Sequence, residues 1–393
     1  MKVAFVTPWY GPNLAGGMET LTRHLVTHLH RAGLSLEVWA TCIRDFHADW
    51  ATNYYRPGQT VEDGIPVHRF AVTGRDRAAF DRVNWQLMQG LRLSPADEQV
   101  YINEMINCPG LYEHIADRSH EYLFVFIPYL FATTYFGAQI CPARSAIIPC
   151  LHDEGYAYMD LFRQLLPQVH TLIFNVEAEL ELVERLYGRS DSQVRAVIGV
   201  GVETEFVADG DRFRQKYGLA EPFLLYVGRQ EAGKNVPLLL DYWARYAATT
   251  QTEMKLVLIG PGQMPIPEAV AGQVVNLGFV PRQDKYDAYA AADLFCLPSV
   301  NESFSLVIME SWLTETPVLV HGHCVVTREH CVRSQGGLYF TNADEFGAVI
   351  DYLHDQPQTA QQMGRNGRSY VLANYQWPQI LAQYRQLLAN MAA

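Results

Sequence analysis

What the sequence lacks sets the first limits. The 7 cysteines among its 393 residues, Cys42, Cys108, Cys141, Cys150, Cys296, Cys324 and Cys331, form no Cys-x-x-Cys pair. That scatter excludes a disulfide framework and is expected of reduced, buried thiols in a cytoplasmic protein. No uninterrupted apolar run is long enough for a bilayer, and the opening run from Lys2 to Thr7 has the length of a strand, too short for the core of a secretory leader. At most, peripheral association with the inner face of a membrane is expected. Charge is sparse at 18% of residues, and cations are the scarcer sign, with 30 Lys and Arg against 42 Asp and Glu and a formal net charge of -12. Such a chain has no general attraction for nucleic acid or anionic lipid.

Apolar residues are plentiful, at 49%, and the length favours two domains over one. The run Lys2 to Thr7 is apolar on both faces and ends at Pro8, as a buried parallel strand would. A loop from Trp9 to Gly17 follows, then a helical stripe of Met18, Leu21, Leu25 and Leu29 with Gly33 placed as a stop, then a second strand at Leu36 to Ala40. This strand–helix–strand opening with glycines at its first turn is a doubly wound α/β signature. Strand-like runs recur at 122–127, 144–149 and 171–174. The stretch 188–211 shows little periodicity, and a second series begins at 223–228 and continues at 255–260, 274–278, 293–297 and 317–320. Two parallel-sheet domains are expected, over 1–205 and 206–374, with an amphipathic tail helix from 375 that can pack back on the first.

Three groups of residues suit a nucleotide diphosphate ligand. Gly228-Arg229 follows the strand 224–227 and Lys234-Asn235 precedes a helix, where two cations could neutralise a diphosphate leaving group. Read alone, a solvated pair on a loop is the expected reading. Second, Asn301-Glu302-Ser303-Phe304-Ser305-Leu306 leads to Glu310, with Ser303 or Ser305 placed to cap a helix whose first N–H groups face a phosphate. Glu302 and Glu310 would then lie roughly 8 Å apart along the helix axis, unless the one merely answers the helix dipole and the other faces solvent. Third, a strand over 146–151 delivers His152-Asp153-Glu154 to its carboxyl end, where a histidine can hydrogen-bond a sugar hydroxyl, orient a reacting centre or simply be structural.

Taken in order, these residues resemble the retaining glycosyltransferase family 4, and the resemblance covers almost the whole chain. Gly16-Gly17-Met18-Glu19 is similar to the family's GGxE, His152-Asp153 to its histidine after a late strand, Gly228-Arg229 with Lys234-Asn235 to its GR…KN, and Glu302 with Glu310 to its E-x7-E. The resemblance implies the GT-B fold, two Rossmann-like doubly wound parallel-sheet domains facing across a cleft, an acceptor-side domain first and a nucleotide-sugar domain second. It implies a hexosyl transfer with retention and without metal or other cofactor. The donor would be a nucleotide diphosphate sugar, UDP-sugar first and GDP-mannose next, and the acceptor a hydroxyl of a glycan or lipid-linked glycan in polysaccharide or glycoconjugate biosynthesis. Carried onto this chain, Arg229 and Lys234 bind the diphosphate, Glu310 the ribose, and Glu302 with the backbone of Phe304, Ser305 and Leu306 the sugar. Ser303 and Gly228 border the donor, Phe279 and Val280 line the base, Gly16 and Gly17 approach from the other domain, and His152 acts at the reacting sugar. The chain departs from the family at Thr314-Glu315-Thr316-Pro317 and at His321-Gly322-His323-Cys324-Val325-Val326-Thr327, a loop that can border the sugar.

Other readings compete. His321, His323, Cys324, His330 and Cys331 hold enough nitrogen and sulfur for zinc, but in no familiar spacing, so cleft lining and buried thiols are preferred. Asp209-Gly210-Asp211 has the form of a metal-binding DxD but lies near the domain linker, where a solvated turn is expected. Over 78–93, Phe80, Val83, Leu87 and Leu91 make one helical stripe near Arg77, Arg82 and Arg92, which could lean on a membrane but is expected to pack on the first domain. The first glycine loop does not give the dinucleotide G-x-G-x-x-G. A catalytically inactive sugar-binding protein of the same fold, and an epimerase or phosphorylase, are the functional alternatives.

Overall fold

Two sheets organise the chain, each with its own core. The computed structural model describes residues 2–12, 14, 16–250 and 252–392, which divide into two units, Met1–Gly201 with Trp377–Ala393, and Val202–Gln376.

The first unit contains β1 (Lys2–Thr7), β2 (Leu36–Thr41), β3 (Gly58–Glu62), β4 (Ile65–Phe70), β5 (Tyr122–Phe126), β6 (Ser145–Ile147), β7 (Thr171–Phe174) and β8 (Val194–Val197), in the order β3-β4-β2-β1-β5-β6-β7-β8. β1 is flanked on both sides, with Val3 beside Leu36 and Leu123, which is why it is apolar on both faces. All pairs are parallel except the edge hairpin β3–β4. Its two-residue turn, Asp63-Gly64, has φ of 52° and 84°, the left-handed pair that lets the strands keep their twist. That hairpin and β8 were not expected. β3 faces solvent along most of its length, so it carries no apolar period, and β8 is a four-residue edge strand within the apparently aperiodic stretch.

Leu21, Leu25 and Leu29 of the helix Gly17–Arg31 are buried. In the helix Arg77–Met88, Asp76 accepts the Ala79 N–H as N-cap, and Phe80, Val83 and Leu87 are buried. Leu91, the expected fourth member of that stripe, lies past the helix end and is exposed. The helix Trp377–Ala392 completes this unit: the Trp377 ring stacks on His28 with centroids 3.9 Å apart and planes 10° apart, and Ile380, Tyr384 and Leu388 are buried.

In the second unit β9 (Phe223–Val227), β10 (Lys255–Ile259), β11 (Val274–Gly278), β12 (Leu294–Leu297), β13 (Val318–His321) and β14 (Gly337–Phe340) form an all-parallel sheet in the order β11-β10-β9-β12-β13-β14. This is the doubly wound order, whose strand sequence reverses between β9 and β12; ligands of such sheets bind beyond the carboxyl ends at that point. Among the described residues no helix is long and apolar enough to cross a membrane.

Because Trp377 is buried to 7% exposure within the first unit, Trp377→Ala should destabilise that unit by about 3–5 kcal/mol. Hydrogen exchange should show protection lost in β1, β2 and β5 and kept in β9–β14; equal loss in both sheets would contradict the assignment of this helix.

Candidate functional site

The carboxyl end of β9 is pinned before it reaches its charged residues. The Gly228 N–H bonds the Ile259 carbonyl at 2.9 Å, and a Cβ on Gly260 would stand 1.9 Å from the Gly228 oxygen, so the two strand ends approach this closely only with glycine at 260. Gln230 is buried and exchanges hydrogen bonds with the Asn276 amide at 2.8 and 2.9 Å. Between these anchors Arg229 is half-buried, its guanidinium 3.3 Å from Glu231 Oε1, while the Tyr226 hydroxyl donates to its carbonyl at 2.7 Å.

A single turn, Ala232–Lys234, follows, and Asn235, left-handed with φ 60°, leads into the helix Val236–Thr250. The Asn235 amide donates to the Pro298 carbonyl at 3.0 Å, joining the exit of β9 to that of β12. Lys234 Nζ lies 2.7 Å from Glu302 Oε1. The cation after one strand and the acid after its neighbour thus form one ion pair at the switch point.

Beyond Glu302 the chain is held by Phe304, buried edge-on against His330 and Tyr375 with centroids 5.3 and 4.9 Å away. Ser305 occupies the N-cap of the helix Leu306–Leu313 with φ 72°. The expected serine cap is absent. Ser303 is half-buried ahead of the cap position, and Ser305 is left-handed where a capping serine is extended, its buried Oγ without a partner. The first N–H groups of this helix are left without a side-chain cap, which suits an anion.

Glu310, inside the same helix, is not the surface residue its pattern allowed, since only 16% of its side chain is exposed. Its Oε1 is 2.6 Å from Lys285 Nζ, and its Oε2 accepts the Tyr289 hydroxyl at 3.2 Å. Both partners come from the helix Arg282–Ala291 and were not singled out from the sequence, although their i,i+4 spacing puts them on one face. Of the two expected base-lining residues, Phe279 stands 79% exposed and Val280 is buried.

In the first unit Gly16, φ 153°, precedes the helix Gly17–Arg31. Glu19 folds back so far that a Cβ on Gly16 would lie 2.0 Å from its Oε2, while its Oε1 accepts the Trp9 indole N–H at 3.0 Å. Gly17 is exposed, with nothing within 4 Å of its would-be Cβ. Asn13 and Ala15 of the same loop lie outside the described residues. β6 ends at Ile147, short of the expected strand, and Cys150 turns the chain with φ 53°. The buried Glu179 then accepts the Leu151 and Asn175 N–H groups at 2.7 and 2.8 Å; burial pushes its carboxyl up to about 7 against their pull. This fixes the backbone one residue before His152, whose Nδ1 lies 3.3 Å from Glu154 Oε1.

Among the described residues no group of three or more His, Cys, Asp or Glu is placed to hold a metal ion. Asp209 caps the helix Gly210–Tyr217 by accepting the Arg212 N–H, and its own N–H goes to Asp287. His321 accepts the His323 N–H at Nδ1, and burial raises the Cys324 and Cys331 thiols.

Residues 209–370 match the family model of glycosyl transferases group 1. Through these residues the second unit is similar to the group 1 glycosyl transferases, and the fold of the chain is GT-B. It is 29% identical over 255 residues to the D-inositol 3-phosphate glycosyltransferase of Kribbella flavida, an alignment covering 58% of this chain and 59% of that one. The chain thus spans less than two thirds of that relative's length. Over 99% of both chains it superposes on the sucrose-phosphate synthase of Thermosynechococcus elongatus, with TM-score 0.72 and 18% identity. Anabaena HepE, solved in complex with UDP and glucose, gives TM-score 0.70 at 16% identity, covering 99% of this chain and all of that one.

His330, behind Phe304, is fully buried, and desolvation lowers its pKa from the ordinary 6.5 to about 3. The unfolded chain therefore takes up this proton first. The stability gained by keeping the ring neutral is complete above about pH 6.5 and is lost as pH falls toward 3. His330→Gln should flatten the fall in thermal midpoint between pH 7 and pH 4.5; an unchanged slope would show that other groups govern acid sensitivity here.

Proposed function

We propose that this chain moves a hexosyl unit from a nucleotide diphosphate sugar, UDP-sugar before GDP-mannose, to a hydroxyl of a glycan or lipid-linked glycan, with retention and without a metal ion. The observation that carries the reading is the Lys234–Glu302 pair at 2.7 Å, at the switch point of a doubly wound sheet. Support for the donor class comes from the family match and from HepE, whose solved complex holds UDP and glucose.

In this reading Arg229 and Lys234 meet the diphosphate as its charge grows on bond breaking. Each supplies about 4 kcal/mol at close range in an effective dielectric near 20, before desolvation is subtracted. The uncapped N–H groups of the helix Leu306–Leu313 add partial positive charge, Glu310 takes the ribose hydroxyls and Glu302 those of the sugar. The acceptor oxygen attacks the anomeric carbon on the face the phosphate leaves, and its proton passes to the departing phosphate oxygen. His152 steadies the sugar as positive charge develops there.

Replacing Arg229 or Lys234 by Ala should lower turnover by roughly two to three orders of magnitude, as loss of a few kcal/mol of transition-state stabilisation implies, in protein that remains folded. Steady-state kinetics within threefold of wild type would remove these residues from the mechanism.

Proton NMR of the product should show the anomeric configuration of the donor, and the rate in EDTA should equal that without it. Inversion would exclude the same-face route, and inhibition reversed by manganese would exclude metal independence.

A further inference from the structure

The residues after His152 wall a cavity that the donor chemistry leaves unused. It has a volume of about 380 Å³ and lies wholly in the first unit, between the end of the helix Arg77–Met88 with the loop that follows, the helix Pro95–Asn103, and the turn Gly155–Tyr158. Its walls are tied together. A Cβ on Gly155 would stand 2.7 Å from the Leu87 carbonyl oxygen, so glycine lets the turn close against the helix end. The Tyr156 hydroxyl donates to Asn84 at 2.7 Å. Glu98, 6% exposed, receives the Asp160 and Leu161 N–H groups at 2.9 and 3.0 Å.

The lining has two characters. Leu87, Leu91 and Met159 give it apolar lining, while Glu98, Asp153, Glu154 and Asp160 bring four carboxylates, of which Asp153 is paired with Arg185 and Asp160 with Arg163 from outside the lining, and Arg92 is the cation in the lining itself. Asp153 accepts from the Tyr158 hydroxyl and from Arg185, both at 2.6 Å, and these partners hold its carboxyl below the usual range despite partial burial. Glu154 belongs both to this wall and to His152, which it meets at 3.3 Å.

We propose that this cavity binds the acceptor, and that the acceptor's bound portion is a neutral polyhydroxylated ring carrying no phosphate. The inference rests on the glycosyltransferase reading. Carboxylates accept hydrogen bonds and cannot donate them when ionised, so they match ligands rich in hydroxyl donors. The apolar lining residues and the part-exposed Tyr158 ring suit the C–H faces of a pyranose. A phosphate dianion would meet four carboxylates with three guanidinium groups about them, Arg92, Arg163 and Arg185, two of which are already engaged by Asp160 and Asp153, so the net field it meets is negative. The volume is at the small end for ligand pockets, enough for one or two rings.

The test is saturation-transfer NMR on the full chain, with glucose, galactose, mannose, N-acetylglucosamine, maltose, cellobiose and lactose beside glucose 6-phosphate, mannose 6-phosphate and inositol 1-phosphate. UDP binding is measured in parallel by calorimetry. At least one neutral sugar should give transfer, reduced fivefold or more by Asp153→Asn and by the cavity-filling Leu91→Trp, both at exposed positions, with UDP affinity unchanged. The phosphorylated sugars should give none. Transfer to a phosphorylated sugar that Arg92→Ala abolishes, transfer to a neutral sugar that neither cavity variant affects, or no transfer to any neutral sugar would each overturn the assignment. Absence of UDP binding to the wild type would instead overturn the donor reading on which it rests.

Discussion

The pairing of β9 with β12 is the constraint from which the donor-side geometry follows. β9 is in register with β10 through five residue pairs but with β12 through only two, Leu224 with Leu294 and Leu225 with Phe295. The two central strands therefore meet near their amino ends and are free to part beyond. The segments that leave them belong to opposite halves of the doubly wound sheet, and a crevice at their carboxyl ends is the consequence. The hydrogen bond from Asn235 to the Pro298 carbonyl and the Lys234–Glu302 pair recross it.

Charge at this place is compensated locally. Arg229 has Glu231, Lys234 has Glu302 and Lys285 has Glu310. Each pair keeps a polar contact for side chains that are largely covered, since a covered charge without a partner costs several kcal/mol. The acids are in turn held by apolar anchors: Phe304 fixes the loop after Glu302 against His330 and Tyr375, and Tyr289, itself buried, orients Glu310. Packing thus sets the positions of groups whose chemistry is electrostatic.

The central strands were legible because they are covered on both faces and read as apolar runs; Phe223–Val227 and Lys255–Ile259 need no more than their composition to be found. The edge elements were not. β3 is too exposed to show a period, β14 is four residues long, and the Asp63-Gly64 turn was the one local sign of the hairpin. At the site, spacing found the residues but not their partners. Lys285 and Tyr289 come to Glu310 through the packing of two helices, Glu19 matters through its contact with Gly16, and Glu179 through N–H groups in two separate loops. Such contacts are tertiary, and no local pattern carries them. The serine cap failed for a related reason. The backbone at Ser305 adopts the left-handed conformation at the start of the helix Leu306–Leu313, and composition alone suggested a residue in extended geometry.

The first unit is made from two separated stretches of chain, with 202–376 between them. During synthesis the sheet β1–β8 leaves the ribosome long before the helix that carries Trp377, Tyr384 and Leu388, and for the whole time the second unit is being translated the surface that receives this helix has no cover. The second unit is continuous and meets no such delay. Domains generally fold in the order they emerge, but here the unit whose sheet is made first receives the helix Trp377–Ala392 only after the second unit has been made, so a nascent chain passes through a stage in which the apolar surface that takes this helix is exposed.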